Sequence, residues 1–342
     1  MKNDRFGCLG IALIVVLAVS VLLNFVFIAS NATHSVSGFA AMGHPAKFEE
    51  RLVVPARPAK DAKDPGTKIA LLSLRGIISA AEPGAIGETM VDDFKLQLQQ
   101  AVEDEKVKAI VLAIDSPGGE VTASDMIYTA VRGARDTGKK PVVVYMGSLA
   151  ASGGYYVACG GSHLIAHDTT FTGSIGVIMQ GINYERLFDK VGLQMMTFKS
   201  GKMKDMLSGS RPMTEEEKTY IQRLIMQTYD KFVGIVARER KLPEDQLRNG
   251  VADGRVVSGK DALEAGLVNQ LGTVEDAYAK AMELGRAPGS SVVRYESPFP
   301  FGRFLRMLGE GRKSSLETQV AAALTPKLEA GRLYYLPSLY LH

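Results

Sequence analysis

The sequence predicts an α/β domain with a mainly parallel sheet of βαβ units, carried behind one N-terminal transmembrane helix. Three observations predict it. Apolar runs at residues 68–78, 107–114, 141–145 and 163–167 are nearly continuous, as strands buried on both faces require. Segments with helical spacing separate several of these runs, which is the rhythm of a parallel sheet with crossover helices. Finally, residues 9–29 are apolar except for Ser20 and Asn24, about 21 residues, enough to cross a bilayer core.

Taken in order, Lys2 and Arg5 precede the N-terminal apolar run, and no Lys, Arg, Asp or Glu follows it until Lys47. The positive-inside rule then leaves residues 1–7 in the cytoplasm, makes 8–30 a signal anchor and sends the rest of the chain outside. The run is longer than a signal peptide's apolar region, and Ala29 and Ala32 form a poor cleavage site, so an uncleaved anchor is expected. Residues 31–67, rich in Ala, Ser, Pro, Lys and Asp, read as a tether.

Residues 68–78 read as the first strand, and 92–102 as a helix burying Phe94, Leu96, Leu98 and Val102. A second strand at 107–114 is expected to break at Asp115-Ser-Pro-Gly-Gly119, where Pro-Gly favours a turn. Residues 124–135 are helical in spacing, 141–145 form the next strand, and 163–167 a further one. Thr214-Glu-Glu-Glu217 matches a capping box. It opens a long amphipathic helix carrying Ile221, Leu224, Ile225, Phe232, Ile235 and Val236. A strand near 253–257 and a helix near 262–269 follow, and the domain is expected to run from 68 to about 285. In the tail, 286–342, Phe299, Phe301, Phe304, Leu305 and Leu308 alternate with basic residues, which suits a membrane surface or a neighbouring subunit. The last residues, Leu333-Tyr-Tyr-Leu-Pro-Ser-Leu-Tyr-Leu341, are apolar enough to dock in a groove, their own or a neighbour's.

The balance of 46% apolar and 23% charged residues is ordinary for a globular protein, and a net charge of +3 is too small to indicate nucleic acid as the main partner. Only two cysteines are present, Cys8 and Cys159, with no metal-ligand spacing. Cys159 reads as a small buried hydrophobe.

The stretch Met146-Gly-Ser-Leu-Ala-Ala-Ser-Gly-Gly-Tyr-Tyr156 joins a strand to a short apolar helix, with Ser152 at the junction. Small neighbours leave its hydroxyl approachable, and a helix N-terminus favours developing negative charge. An acyl-transfer nucleophile needs this setting; a plain N-cap serine would look the same. Backbone N–H groups at Gly153 and at Gly118-Gly119 are candidate oxyanion donors from two strand-to-helix turns. The base is open. Among the five histidines, His163 and His167 flank one strand, and no G-x-S-x-G elbow surrounds Ser152. Lys199-Ser-Gly-Lys-Met-Lys-Asp-Met-Leu207 offers three lysines, of which Lys204 has the most apolar neighbours. A lysine acts as a base only when its pKa falls from about 10.4 toward 7, a change of about 4 kcal/mol that burial can supply.

Together these motifs resemble the short form of the signal peptide peptidase A type, the Ser-Lys peptidases of family S49, whose fold is ClpP/crotonase-like. The resemblance runs from about residue 68 to 272. It rests on Asp115-Ser-Pro-Gly-Gly119, the Ser152 stretch, Phe171-Thr-Gly-Ser-Ile-Gly-Val-Ile-Met179, residues 199–205 and Asp253-Gly-Arg-Val256 in that order. It implies Ser152 as nucleophile, Lys204 as base with Lys199 and Lys202 as bystanders, Ser174 as the serine that hydrogen-bonds the lysine, and Gly119 and Gly153 as oxyanion donors. It further implies a membrane-anchored homo-oligomeric ring, an octamer in the short form, with base and nucleophile meeting at a subunit interface. The implied substrates are remnant signal peptides and other membrane-derived peptides, cleaved without ATP, metal or other cofactor.

Two other classes share some of these features. A crotonase-type acyl-CoA enzyme would use the same oxyanion geometry but would need carboxylates as acid and base. A catalytically inactive, membrane-tethered scaffold would not need Ser152, Lys204, Ser174 and both glycines.

Overall fold

The computed structural model describes residues 48–57, 66–80 and 89–296 and the backbone of Tyr334–Tyr335. The expected cytoplasmic segment, the signal anchor, much of the tether, and the basic-aromatic tail lie outside the described residues. Among the described residues no helix is long and apolar enough to cross a membrane.

Among the described residues ten strands form one sheet: β1 (Glu49–Val54), β2 (Lys68–Ile78), β3 (Val107–Glu120), β4 (Val142–Ala151), β5 (His163–Ala166), β6 (Phe171–Gly173), β7 (Val256–Ser258), β8 (Gln270–Leu271), β9 (Ser291–Glu296) and β10 (Tyr334–Tyr335). The main order is β1-β9-β2-β3-β4-β5-β8. Pairing is parallel from β9 through β8, and antiparallel at β1–β9, β6–β7 and β10–β3. The helices are α1 (Met90–Glu103), α2 (Val121–Asp136), α3 (Gly153–Ala158), α4 (Glu185–Lys190), α5 (Glu215–Arg240), α6 (Glu244–Arg248), α7 (Gly259–Glu264) and α8 (Val274–Leu284).

Both faces of the central strands are covered, which is why their sequences are apolar without alternation. Ala70, Leu72 and Leu74 of β2 and Ile110, Leu112 and Ile114 of β3 share a core with Phe94 and Leu98 of α1, Ile127 and Val131 of α2, and Phe232 of α5. Ile69, Leu71, Ala109 and Val111 face the other way, against Ala277 and Ala281 of α8. Each such leucine or isoleucine contributes about 1.5–3 kcal/mol by leaving water. The mainly parallel α/β class read from the sequence is the one observed.

Several boundaries differ from the sequence reading. Asp115-Ser-Pro-Gly-Gly119 does not end its strand: β3 runs on to Glu120, with register shifts against both neighbours in this stretch. Pro117 is tolerated because the ladder is already irregular there. β4 likewise continues past Tyr145 to Ala151, directly before Ser152. The sheet also reaches beyond both ends of 68–285, since β1 comes from the segment read as tether and β9 from the start of the tail. β1 is a mostly exposed edge strand with charged residues at 49–51, so no buried pattern marks it.

α5 begins as its motif requires. Thr214 Oγ1 accepts the Glu217 N–H at 3.2 Å, and Glu217 Oε2 accepts the Thr214 N–H at 2.8 Å. Such a cap is worth about 1 kcal/mol.

Candidate active site

β4 and β6 set the centre of the site. They pair in parallel, with Ala151 opposite Gly173, so Ser152 and Ser174 each stand one residue beyond a register pair. The Ser152 N–H donates to the Gly173 carbonyl at 2.8 Å, and the Ser174 N–H to the Arg255 carbonyl at 2.7 Å. Both serines have positive φ, 54° and 50°. Strain of this kind costs about 1–3 kcal/mol and persists where the surroundings impose it. Ser152 is 1% exposed, and its Oγ has no hydrogen-bond partner among the described residues. It is the N-cap residue of α3 by position, yet its side chain makes no capping bond. A plain N-cap serine would use its hydroxyl on the helix.

α3 is buried along its whole length. Tyr155 Oη donates to the Leu267 carbonyl at 2.9 Å and Tyr156 Oη to Asp125 Oδ1 at 2.6 Å. The Tyr156 ring also meets Tyr128 and Phe232 edge to face, at 5.4 Å and 5.0 Å. The helix following Ser152 therefore cannot swing.

The two glycines expected as donors are neighbours. A Cβ on Gly153 would lie 3.0 Å from the Gly119 nitrogen and 2.5 Å from Ser124 Oγ. Gly153 is the first residue of α3, where an N–H has no partner within the helix. Gly119 lies in the outer part of β3, where Ser116 fixes the irregular ladder. Ser116 Oγ donates to the Gly76 carbonyl at 2.6 Å and accepts the Gly118 N–H at 3.0 Å. Ser116 and Ser124 received no role from the sequence; Ser116 lies inside the Asp115–Gly119 motif, the one signal that could have pointed to it. On the side of β3 away from β2, Tyr334–Tyr335 runs antiparallel to Glu120 and Gly119. The described pair Tyr334–Tyr335 thus lies beside Gly119, one of the two glycines expected as donors.

The lysines are sorted by their partners. Lys199 Nζ bonds Asp205 Oδ1 at 2.7 Å, and Lys202 Nζ bonds Glu216 at 2.6 Å. Lys204 is exposed, and its ammonium has no partner among the described residues. Burial of Lys204 by its apolar neighbours, expected from the sequence, does not occur within one chain. Its segment has no regular structure, Met203 and Met206 are only half-buried, and Leu207 is 42% exposed. Nor does Lys204 bond Ser152 in the chain. The histidines take local partners: His163 bonds Gln270 Oε1 at 3.0 Å, with burial lowering its pKa, and the exposed His167 bonds Thr169 at 2.9 Å. Cys159 is buried as expected, and burial pushes its thiol up to about 12.

Arg211 holds the lysine segment at acid pH. Its hydrogen bonds, and then those of Lys199, keep the Asp205 carboxyl well below the usual range, and Arg211 with the Thr214 N–H lowers Glu217 to about 2. Both folded values are depressed, so their contribution is present above the unfolded values near 4 and is lost as pH falls through the folded ones. The segment should therefore stay closed through pH 4 and open only toward about pH 2. Limited proteolysis or hydrogen exchange of residues 199–213 measures this, and an opening midpoint near pH 4.5 would contradict it.

The profile of peptidase family S49 matches residues 134–287, and that of Clp protease matches 69–168. A protein of Synechocystis sp. named as a protease is 40% identical over 253 residues, 73% of this chain and 86% of that protein. A protein of Enterococcus faecium named as a signal peptide peptidase SppA is 36% identical over 67% of each chain. The Arabidopsis thaliana protein named serine protease SPPA, chloroplastic, is 33% identical over 63% of this chain but 31% of its own length. Identity of this level, sustained over most of a relative's length and agreeing with the family profile, means that the chain belongs to peptidase family S49 and is a serine protease.

Proposed function

We propose that the chain is a Ser-Lys endopeptidase in which Ser152 attacks the scissile carbonyl, Lys204 takes its proton, and the N–H groups of Gly119 and Gly153 receive the oxyanion. Ser174 orients the lysine amine. The observation that carries this reading is the buried Ser152 hydroxyl, without a partner, at a strained strand-to-helix junction. A nucleophile's hydroxyl must be free to hydrogen-bond its base rather than be spent on a structural contact. The peptide lies along the outer end of β3, as Tyr334–Tyr335 does, so that backbone bonds hold it whatever its side chains.

The base arrives from a second copy. Among the described residues Lys204 is the one lysine of its run with no ion pair. The surrounding segment exposes Ile182 at 83%, Met196 at 79% and Phe198 at 92%, an apolar surface that suits an interface between subunits. A neighbour packed there would dry the amine, which one chain leaves in water. This supports a homo-oligomeric ring, with the apolar run at residues 9–29 anchoring the chain in the plasma membrane and the catalytic domain outside the cytoplasm. The substrates are then apolar peptides released in or beside the bilayer, remnant signal peptides among them.

The test is mass-spectrometric mapping of a fluorophosphonate adduct in the wild type and in Lys204→Ala. The adduct should fall on Ser152 in the wild type and form far more slowly in the variant. Labelling at another serine would refute the nucleophile; equal labelling rates would refute the base.

A further inference from the structure

Residues 191–214, between α4 and α5, contain turns and bends but no helix or strand. Nothing periodic fixes where Lys204 stands. Lys202 Nζ pairs with Glu216 of α5 at 2.6 Å in an exposed contact. Asn183 Nδ2 donates to the Arg211 carbonyl at 3.2 Å, and the Tyr184 N–H to the Gly209 carbonyl at 2.8 Å. The tie that engages the residue next to Lys204, however, is the Arg211 side chain. Arg211 donates from Nε to Asp205 Oδ2 at 3.0 Å and from Nη2 to Asp205 Oδ1 at 2.7 Å. The same guanidinium donates from Nη1 to Glu217 Oε2 at 3.0 Å and from Nη2 to Glu217 Oε1 at 2.6 Å. Two carboxylates are each held by two bonds from one planar group.

The ends of this bridge differ. Asp205 directly follows Lys204. Glu217 lies in the first turn of α5, its side chain is 3% exposed, and it also closes the capping box. α5 is in turn anchored by Phe232, Val233 and Val236, all fully buried. The most buried path from core to lysine therefore runs α5, Glu217, Arg211, Asp205, Lys204. Lys199 also reaches Asp205, but it belongs to the same irregular segment and fastens it to nothing outside.

We propose that Arg211 is a positioning residue: by bridging Asp205 to Glu217 it sets the place from which Lys204 reaches the nucleophile and keeps Asp205 from pairing with the amine. The inference rests on the reading of Lys204 as base. Both Asp205 oxygens are occupied, Oδ1 by Lys199 and Arg211 and Oδ2 by Arg211. A released Asp205 would be the carboxylate closest in sequence to Lys204, and an ion pair would hold the amine protonated. A lysine at 211 would keep the charge but not the planar fork that engages two carboxylates at once.

The experiment measures kcat and KM on an apolar quenched-fluorescence peptide, with the full chain in its assembled form, for Arg211→Lys, Arg211→Gln and Lys204→Ala. Both Arg211 variants should lose about 10–100-fold in kcat with KM within about threefold, the signature of a misplaced group rather than lost binding. Arg211→Lys should keep the wild-type assembly and melting temperature, and it decides the matter alone if Arg211→Gln does not fold. A kcat within threefold of wild type in Arg211→Lys overturns the proposal, as does a loss carried by KM. Lys204→Ala separates the two readings. If it is inactive while Arg211→Lys is active, only the positioning role falls; if it is fully active, the base assignment falls first.

Discussion

Lys204→Ala is expected to lower kcat on apolar peptides by about 10⁴-fold or more, as Ser152→Ala should, while Lys202→Ala stays within about threefold of wild type. The large effects follow because nucleophile and base act as one unit, so that removing either removes the proton transfer and the attack together. The small one follows from the surroundings of Lys202. Its ion pair with Glu216 is exposed on both sides, 73% and 59%, and pairs of that kind are worth about 0–1 kcal/mol. Initial rates for the three variants, each checked for assembly, decide the matter. Wild-type turnover by Lys204→Ala would remove the dyad, and a dead Lys202→Ala would shift the base two residues along the same segment.

Gly153→Ala should cost about 10²–10³-fold in kcat, the usual loss when one oxyanion donor is displaced. The added methyl would stand 2.5 Å from Ser124 Oγ and 3.0 Å from the Gly119 nitrogen. Ser124 cannot easily give way, because it is fully buried and its hydroxyl donates to the Glu120 carbonyl at 2.8 Å. α3 must then back away from β3, which separates the two N–H groups proposed to receive the oxyanion. Overpacking of this kind also costs about 1–3 kcal/mol of stability. Gly133→Ala is the control: nothing lies within 4 Å of its Cβ, and in a helix interior alanine should add about 0.5–1 kcal/mol. The measurement is kcat together with the melting temperature. A Gly153→Ala enzyme with wild-type kcat would rule out that N–H as a donor.

Much of the fold was legible because burial on both faces leaves a strong local mark. Residues 68–78 read as a strand and are one, and Thr214-Glu-Glu-Glu217 opens α5 with both of its reciprocal bonds. What misled was punctuation. Pro117 and two glycines signal a turn, yet β3 passes through them, because β2 continues to pair with Gly118 and Gly119. β1 left no signal, since an exposed edge strand with charged residues has no pattern to read. Ser152 was legible as a junction between strand and helix. The roles of Ser116 and Arg211 were not, because each acts through partners contributed by other elements or by an irregular loop.

The sequence by itself determined the class of fold, the strand-to-helix junction at Ser152, and the glycines around it, because these depend on short-range spacing and on side-chain size. Only the tertiary structure decided which hydroxyl is left without a partner, which glycines are neighbours, and which of three lysines is unpaired among the described residues. Those facts depend on register and on contacts between residues far apart in the chain. Ala151 had to meet Gly173, Gly153 had to close on Gly119, and Arg211 had to claim Asp205. No local pattern of residues encodes which of two distant backbones will touch.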